Sequence, residues 1–240
     1  MSESLSAFSY SGEELEVFAR AVNWKAYWSR QIEPYLGHCI LELGAGLGAT
    51  ALALNHVACD RWLGMEPDET MYRLIAGRLT QSRFPDGYQI RHGTSANLRD
   101  TERFDTILYI DVLEHIQDDR EELTRVSRHL DVGGHIVIVA PAHNFLYTPF
   151  DRKIGHHRRY DKRLLTGIVP SGMSIRRMYY LDSVGMLASL ANRLVLKSDT
   201  PTEAQIRLWD SVMIRASRWI DPLTFHRFGK SIVCVLQKAP

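Results

Sequence analysis

Hydrophobic and polar positions fall into two textures along this chain. Ahead of Pro34, Leu15, Phe18, Ala21 or Val22, Trp24, Trp28 and Ile32 recur at helical spacing, behind a Ser11-Gly-Glu-Glu14 capping sequence. That pattern predicts an amphipathic helix whose aromatic face has to lie on something. Beyond Pro34, short apolar runs alternate with helical patterns. Cys39–Leu43, Arg61–Met65, Tyr88–His92, Phe104–Ile110 and His135–Ala140 read as strands. Helices are expected from a glycine-rich turn to about Asn55, from a cap at Asp68 to about Leu79, and over Asp118–Leu130. Strand and helix alternating in this way predict a parallel sheet covered on both faces.

The end of the chain breaks the alternation. Met173–Tyr180 and Ser231–Gln237 read as two more strands, separated by helical stretches near Val184–Leu196 and Thr202–Ile220. Two final strands without a short crossover suit an antiparallel edge on a parallel sheet. The expected organisation is a single domain with four parts: an N-terminal helical lid over 1–36, an α/β core over 37–182, a helical insertion over 183–228, and the last core strand over 229–240.

Composition narrows the class of molecule. The chain has 240 residues, 45% of them hydrophobic, so a full core can be buried. Its 29 Lys and Arg against 28 Asp and Glu leave no broadly basic footprint, and no nucleic-acid partner is expected. Cys39, Cys59 and Cys234 are far apart and form neither a disulfide framework nor a metal-ligand spacing, as suits a reducing compartment. Met1–Ser11 lacks the form of a signal peptide, and no uncharged run is apolar enough to span a membrane. A cytoplasmic location is the expectation.

Glu42-Leu-Gly-Ala-Gly-Leu-Gly48 is the most informative segment. Glycines at a strand-to-helix turn let a ligand approach the backbone, and the new helix presents free N–H groups there. Glu66, at the end of the next strand, is placed to accept hydrogen bonds from both hydroxyls of a ribose. Loop and acid together point to an adenosine-type ligand, NAD and S-adenosylmethionine alike, since Gly44, Gly46 and Ala49 also satisfy the dinucleotide spacing.

Three segments in order separate these candidates. Ile40-Leu-Glu-Leu-Gly-Ala-Gly-Leu-Gly48, Asp105-Thr-Ile-Leu-Tyr-Ile-Asp-Val-Leu-Glu-His115 and Leu130-Asp-Val-Gly-Gly-His-Ile-Val-Ile138 resemble the class I S-adenosylmethionine-dependent methyltransferases. The resemblance runs from about Ile40 to Pro141, with Val132 where the family usually has proline. It implies a Rossmann-like α/β fold, with seven strands, mostly parallel, the last antiparallel, and a helical insertion before it. It also implies a cofactor site made from Glu42, Gly44, Ala45, Gly46, Gly48, Glu66, Pro67, Gly93, Thr94, Ser95, Asp111 and Val112. Gly93-Thr-Ser-Ala-Asn-Leu98 departs from the pattern, because Thr94 stands where many relatives place an Asp near the adenine amino group. Thr94 or Ser95 still offers a hydroxyl. The segments Asn23–Trp28, Gly155–Tyr160 and Asp182–Met186 resemble an uncharacterised bacterial branch of the same superfamily.

Methyl transfer is an in-line displacement, so the protein chiefly positions a nucleophile and, where needed, removes its proton. Acceptors meet an open α/β sheet at the carboxyl ends of its strands. The loop Pro141–Asp151 and the run Arg152–Arg163 follow the fifth strand and carry His143, His156, His157, Tyr147, Asp151, Arg158, Arg159 and Tyr160. His156 is the first candidate for the base, then His143, then His115 after the fourth strand; each also reads as a locally bonded histidine. Tyr147, Asp151, Arg158, Arg159 and Tyr160 are candidates for acceptor binding, with the two arginines suited to an anionic group, although a charge run is usually a solvated face. No metal is expected, since His143, His156 and His157 show no ligand spacing. The expected partner is a small-molecule acceptor of O-, N- or C-methylation. The apolar stripe Met186, Leu187, Leu190, Leu194, Trp209, Met213 and Trp219 reads as core or as a homodimer surface. The alternatives are an NAD(P)-linked oxidoreductase and a cofactor-binding protein without catalytic activity.

Overall fold

The computed structural model describes residues 21–79, 84–193 and 202–239. Seven strands form one sheet in the order β3-β2-β1-β4-β5-β7-β6. They are β1 (Cys39–Leu43), β2 (Arg61–Glu66), β3 (Tyr88–His92), β4 (Phe104–Ile110), β5 (Leu130–Pro141), β6 (Met173–Leu181) and β7 (Ser231–Lys238). β1 to β5 pair in parallel, and β7 runs antiparallel to both neighbours, β5 and β6. The fold is α/β, as expected from the alternation. One detail differs: the antiparallel strand is not the edge. β7 inserts between β5 and β6, where its Ile232–Leu236 run is buried and gains ladder partners on both sides.

The central strands are apolar at consecutive positions because both faces of the sheet are covered. Leu41, Ile107, Ile136 and Ile138 point into one core layer, and Ile40, Leu108, Val137 and Val139 into the other. Helix α1 (Val22–Ile32) covers the second layer with Trp24, Tyr27, Trp28 and Ile32, so its aromatic face packs on the sheet. The capping sequence at Ser11, with Leu15 and Phe18, lies outside the described residues. The remaining helices are α2 (Ala49–Ala53), α3 (Glu69–Arg78), α4 (Asp119–Ser127), α5 (Pro149–Lys153), α6 (Lys162–Gly167), α7 (Ser183–Ala191), α8 (Glu203–Leu208) and α9 (Ile214–Leu223). Asp68 and Asp118 cap α3 and α4 through bonds from the Met71 and Glu121 amides. The helix expected to reach Leu130 stops at Ser127, because Leu130 pairs with Phe104 across a bulge and opens β5.

Three buried aspartates tie the first helix to the terminal helices. α1 has no side-chain cap of its own at Ala21. Asp210, in the π-turn that joins α8 to α9, caps it from a distance by accepting from the Asn23 and Trp24 amides. Asp221 accepts from Tyr27 Oη and from the amides of Asp182 and Ser183. Asp182, in a left-handed conformation, accepts from Gly185 N–H, Ser217 Oγ and Trp209 Nε1. In the apolar stripe of the insertion Met186, Leu190, Trp209 and Met213 are half-buried and Leu187 and Trp219 are exposed, whereas Ile206 and Ile214 beside them are buried. Leu194 lies outside the described residues. Among the described residues no helix is long and apolar enough to cross a membrane.

Candidate active site

The glycine loop leaves β1 at its carboxyl end and needs its glycines. Gly44, Gly46 and Gly48 have φ of 66°, 53° and 78°, in the left-handed region that side chains with a Cβ avoid. Their surroundings differ. A Cβ on Gly44 would sit 2.6 Å from Val112 Cγ2, and one on Gly48 2.6 Å from Phe84. A Cβ on Gly46 would meet nothing within 4 Å. The first and third glycines admit neighbouring parts of the protein, while the second faces open space. Ala45 is buried and donates to the Met65 carbonyl, which fastens the loop to β2.

Two carboxylates lie beneath this loop. Glu66, at the end of β2, is 6% exposed and accepts from the amides of Gly46 at 2.7 Å and Asp68 at 2.9 Å. Burial raises its pKa against the pull of those two bonds. Glu42 is buried on β1 and accepts from Trp62 Nε1 at 3.0 Å. Desolvation pushes it up to about 8, with bonds from Thr50 and Trp62 opposing. Glu42 thus supports the loop from inside the core, while Glu66 lies at the loop itself. Pro67 is exposed and its carbonyl lies 3.0 Å from His92 Nε2.

After β3 the backbone of Gly93 bonds to the Glu66 carbonyl, which brings the Gly93–Ser95 segment beside the same loop. Thr94 Oγ1 accepts from the Ala96 amide. Ser95 is buried, and its hydroxyl donates to Glu122 at 2.6 Å, alongside the Tyr109 hydroxyl on the other oxygen of that carboxylate. Of the two hydroxyls expected near adenine, Ser95 is therefore committed to the core, a partner no local spacing signals.

After β4 the chain turns at Asp111, itself left-handed at φ 54°, with its amide held by the Val139 carbonyl. Asp111 is exposed to water, and partial desolvation by the surrounding protein raises its pKa against the attraction of His156, Lys25 and Lys230. Helix α1 thereby contributes Lys25, and the residue before β7 contributes Lys230, whose ammonium also lies 5.2 Å from the Trp209 ring. Sequence reasoning missed both lysines, because they come from opposite ends of the chain.

Glu114 and His115, one turn beyond Asp111, meet His156 from the loop after β5. The His115 and His156 rings are edge to face at 4.6 Å, and His156 Nε2 lies 3.8 Å from Glu114 Oε1. His156 Nδ1 is 3.0 Å from Asp151 Oδ1. Asp151 is buried and held in turn by Arg159 through Nε and Nη2, and by the Thr148 amide and hydroxyl. Those partners keep its carboxyl below the usual range despite burial. Desolvation, then the neighbouring His156, lowers His115 to about 3.

The other candidates take different places. His143, also left-handed, stacks between Phe145 and Tyr180 at 5.0 and 4.6 Å. Arg158 spends its guanidinium on Asp119 and the Gln117 carbonyl. Tyr160 is fully buried and donates to Asp119 and the Leu113 carbonyl. Tyr147 donates to the His156 carbonyl. The run read as an acceptor-binding surface is thus largely a brace: Tyr147, Asp151 and Arg159 fix His156, and Arg158 and Tyr160 fix the turn that bears Glu114. The charged run folds inward because the polar groups beyond β4 supply its partners, which sequence separation conceals.

Residues 41–136, from β1 into β5, match a family model described as a methyltransferase domain. A stretch of 101 residues is 30% identical to the polyketide synthase ThaQ of Burkholderia thailandensis, covering 42% of this chain and 5% of that protein. The chain thus spans about one-twentieth of the curated relative it matches. Among solved structures, coclaurine N-methyltransferase bound to N-methylheliamine and SAH is similar at a TM-score of 0.61 and 13% identity, covering 90% of this chain and 72% of that one. An S-adenosylmethionine-dependent methyltransferase from Clostridium acetobutylicum is similar at 0.58 and 11%, covering 91% and 92%. The [4+2]-cyclase SpnF is similar at 0.61 and 13%, covering 89% and 80%. At these identities the likeness is one of fold, and a cyclase among the neighbours leaves the chemistry to be argued from the site.

Proposed function

We propose that the chain transfers a methyl group from S-adenosylmethionine to a small-molecule acceptor by direct in-line displacement. The observation that carries this reading is the loop geometry: Gly46 faces open space in a conformation only glycine holds easily, with the buried Glu66 bonded to its amide. A loop of that shape fits an adenosine-type cofactor, and the methyltransferase domain over 41–136 favours S-adenosylmethionine. Gly44–Gly48 would hold the methionine end, Glu66 the ribose, and Thr94 with the Gly93 backbone the adenine side. When bound, the cofactor supplies an electrophilic methyl on a sulfonium that leaves readily.

The protein's own residues then have to bring a nucleophile into line, and the surface around Asp111, beyond the carboxyl end of β4, is the region assigned to that task. Of His156, His143 and His115, His156 is the one with a built orientation, because Asp151 fixes Nδ1 and turns Nε2 toward Glu114. Lys25 and Lys230 beside Asp111 add positive charge, which favours an acceptor bearing an anionic group. The NAD-linked alternative is disfavoured by β7, since a dinucleotide fold does not call for an antiparallel strand between β5 and β6.

Calorimetric titration with S-adenosylhomocysteine and NAD in parallel tests the reading. Micromolar binding of the former alone is expected, with at least about tenfold weaker binding in Glu66→Ala, or about 1.4 kcal/mol. Binding of NAD alone would refute it.

A further inference from the structure

Glu114 is fully buried, and among the described residues neither of its carboxylate oxygens accepts a hydrogen bond from another residue. A carboxyl group in that condition has lost water and gained only a bond from its own amide and the attraction of Arg159. Its surroundings explain what it awaits. Donor atoms of Glu114, His115 and His156 all lie within 4.8 Å of one another. We propose that these three side chains are the protein ligands of a divalent transition-metal ion, such as zinc, beyond the carboxyl ends of β4 and β5.

Four features beyond proximity favour an ion. The donor set is two imidazoles and one carboxylate, which suits zinc and its neighbours rather than magnesium or calcium. His156 bonds Asp151 through Nδ1 at 3.0 Å, leaving Nε2 toward Glu114, the arrangement in which a carboxylate orients a ligating histidine. Asp151 is fixed by two bonds from Arg159, and its neighbour Tyr147 pins the His156 backbone, so the ligand is held before any ion arrives. The distances also fit. Tetrahedral zinc with bonds of about 2.0–2.1 Å separates its donors by roughly 3.4 Å. The Glu114–His156 pair, at 3.8 Å, needs only a few tenths of an ångström of closure, and the widest pair about 1.4 Å. Three ligands leave a position for the acceptor.

No spacing in the sequence signals this site, since Glu114 and His115 are adjacent and His156 comes from a loop beyond β5. The binding site stands independently of the methyl-transfer reading. Only its use rests on it: with Nε2 on the ion, His156 is a ligand instead of the base, and the ion holds the acceptor's nucleophilic atom near the cofactor loop and eases loss of its proton.

The test uses untagged full chain, stripped with chelator and titrated with Zn2+ and, as a visible-absorbing reporter, Co2+. One ion per chain is expected, with d–d bands of low coordination number for Co2+ and a metal-dependent rise in melting temperature. Glu114→Gln and His156→Ala should each weaken uptake by about a hundredfold or more, while both retain the folded circular-dichroism spectrum. Absence of stoichiometric uptake, or uptake unchanged in both variants, would overturn the proposal. S-adenosylhomocysteine binding, measured on the stripped chain, separates the two readings. Cofactor binding without metal uptake sinks the metal site alone, and metal uptake without cofactor binding sinks the methyltransferase reading alone.

Discussion

Gly46→Ala isolates the cofactor loop from the stability of the fold. Gly46 has φ 53°, so a Cβ there costs about 1–2 kcal/mol of backbone strain. Nothing lies within 4 Å of the added methyl, so no packing cost joins it. For a chain of this size that strain corresponds to a melting temperature lower by about 2–8 °C. The methyl projects into the space assigned to the cofactor, so S-adenosylhomocysteine binding should weaken by at least about tenfold, or 1.4 kcal/mol. Gly44→Ala is the matched control. Its φ of 66° carries similar strain, but its Cβ would lie 2.6 Å from Val112, which adds about 1–3 kcal/mol of overpacking. Gly44→Ala should therefore be the less stable variant by thermal melting. Calorimetry at a temperature where both variants are folded measures the affinities. A Gly46→Ala protein that binds S-adenosylhomocysteine within about twofold of the parent would refute the assignment of that open space.

The other predictions concern different parts of the molecule. His156→Ala should lower turnover of a methylated acceptor by at least about a hundredfold, with the S-adenosylhomocysteine affinity changed less than about threefold; equal loss of both would make His156 part of the cofactor site. Asp210→Ala removes the carboxylate that caps α1 and strands the Asn23 and Trp24 amides, so it should cost about 2 kcal/mol in denaturant titration. A loss below about 0.5 kcal/mol would show that α1 is held by packing alone. Glu42 has a folded-state pKa raised to about 8. The folded chain therefore holds a proton that the unfolded chain releases, and this group's contribution falls as pH rises from the ordinary carboxylate range to about 8. Glu42→Gln should remove that fall, gaining stability relative to the parent at about pH 8 over about pH 5.5, and parallel stability profiles would contradict the buried acid.

Local sequence determined most of the core. Gly44, Gly46 and Gly48 had to mark a tight turn, because a left-handed backbone excludes a Cβ wherever it occurs. Apolar residues at consecutive positions in β1, β4 and β5 required a sheet covered on both faces. Asp68 was legible as a cap because a cap acts on amides two or three residues away. Chemistry at longer range was not legible in the same way. Ser95 looks available until Glu122 takes its hydroxyl, and Arg158 looks like an anion clamp until Asp119 takes its guanidinium. Glu114 was legible only as part of a family segment, and its isolation depends on packing that removes water without supplying a donor. Lys25 and Lys230 reach Asp111 only because α1 folds over the sheet and β7 inserts beside β5. Backbone conformation and helix caps are written in neighbouring residues, so the sequence alone determines them. Which polar groups satisfy one another inside the fold is decided by strand order and packing, and only the tertiary structure supplies these.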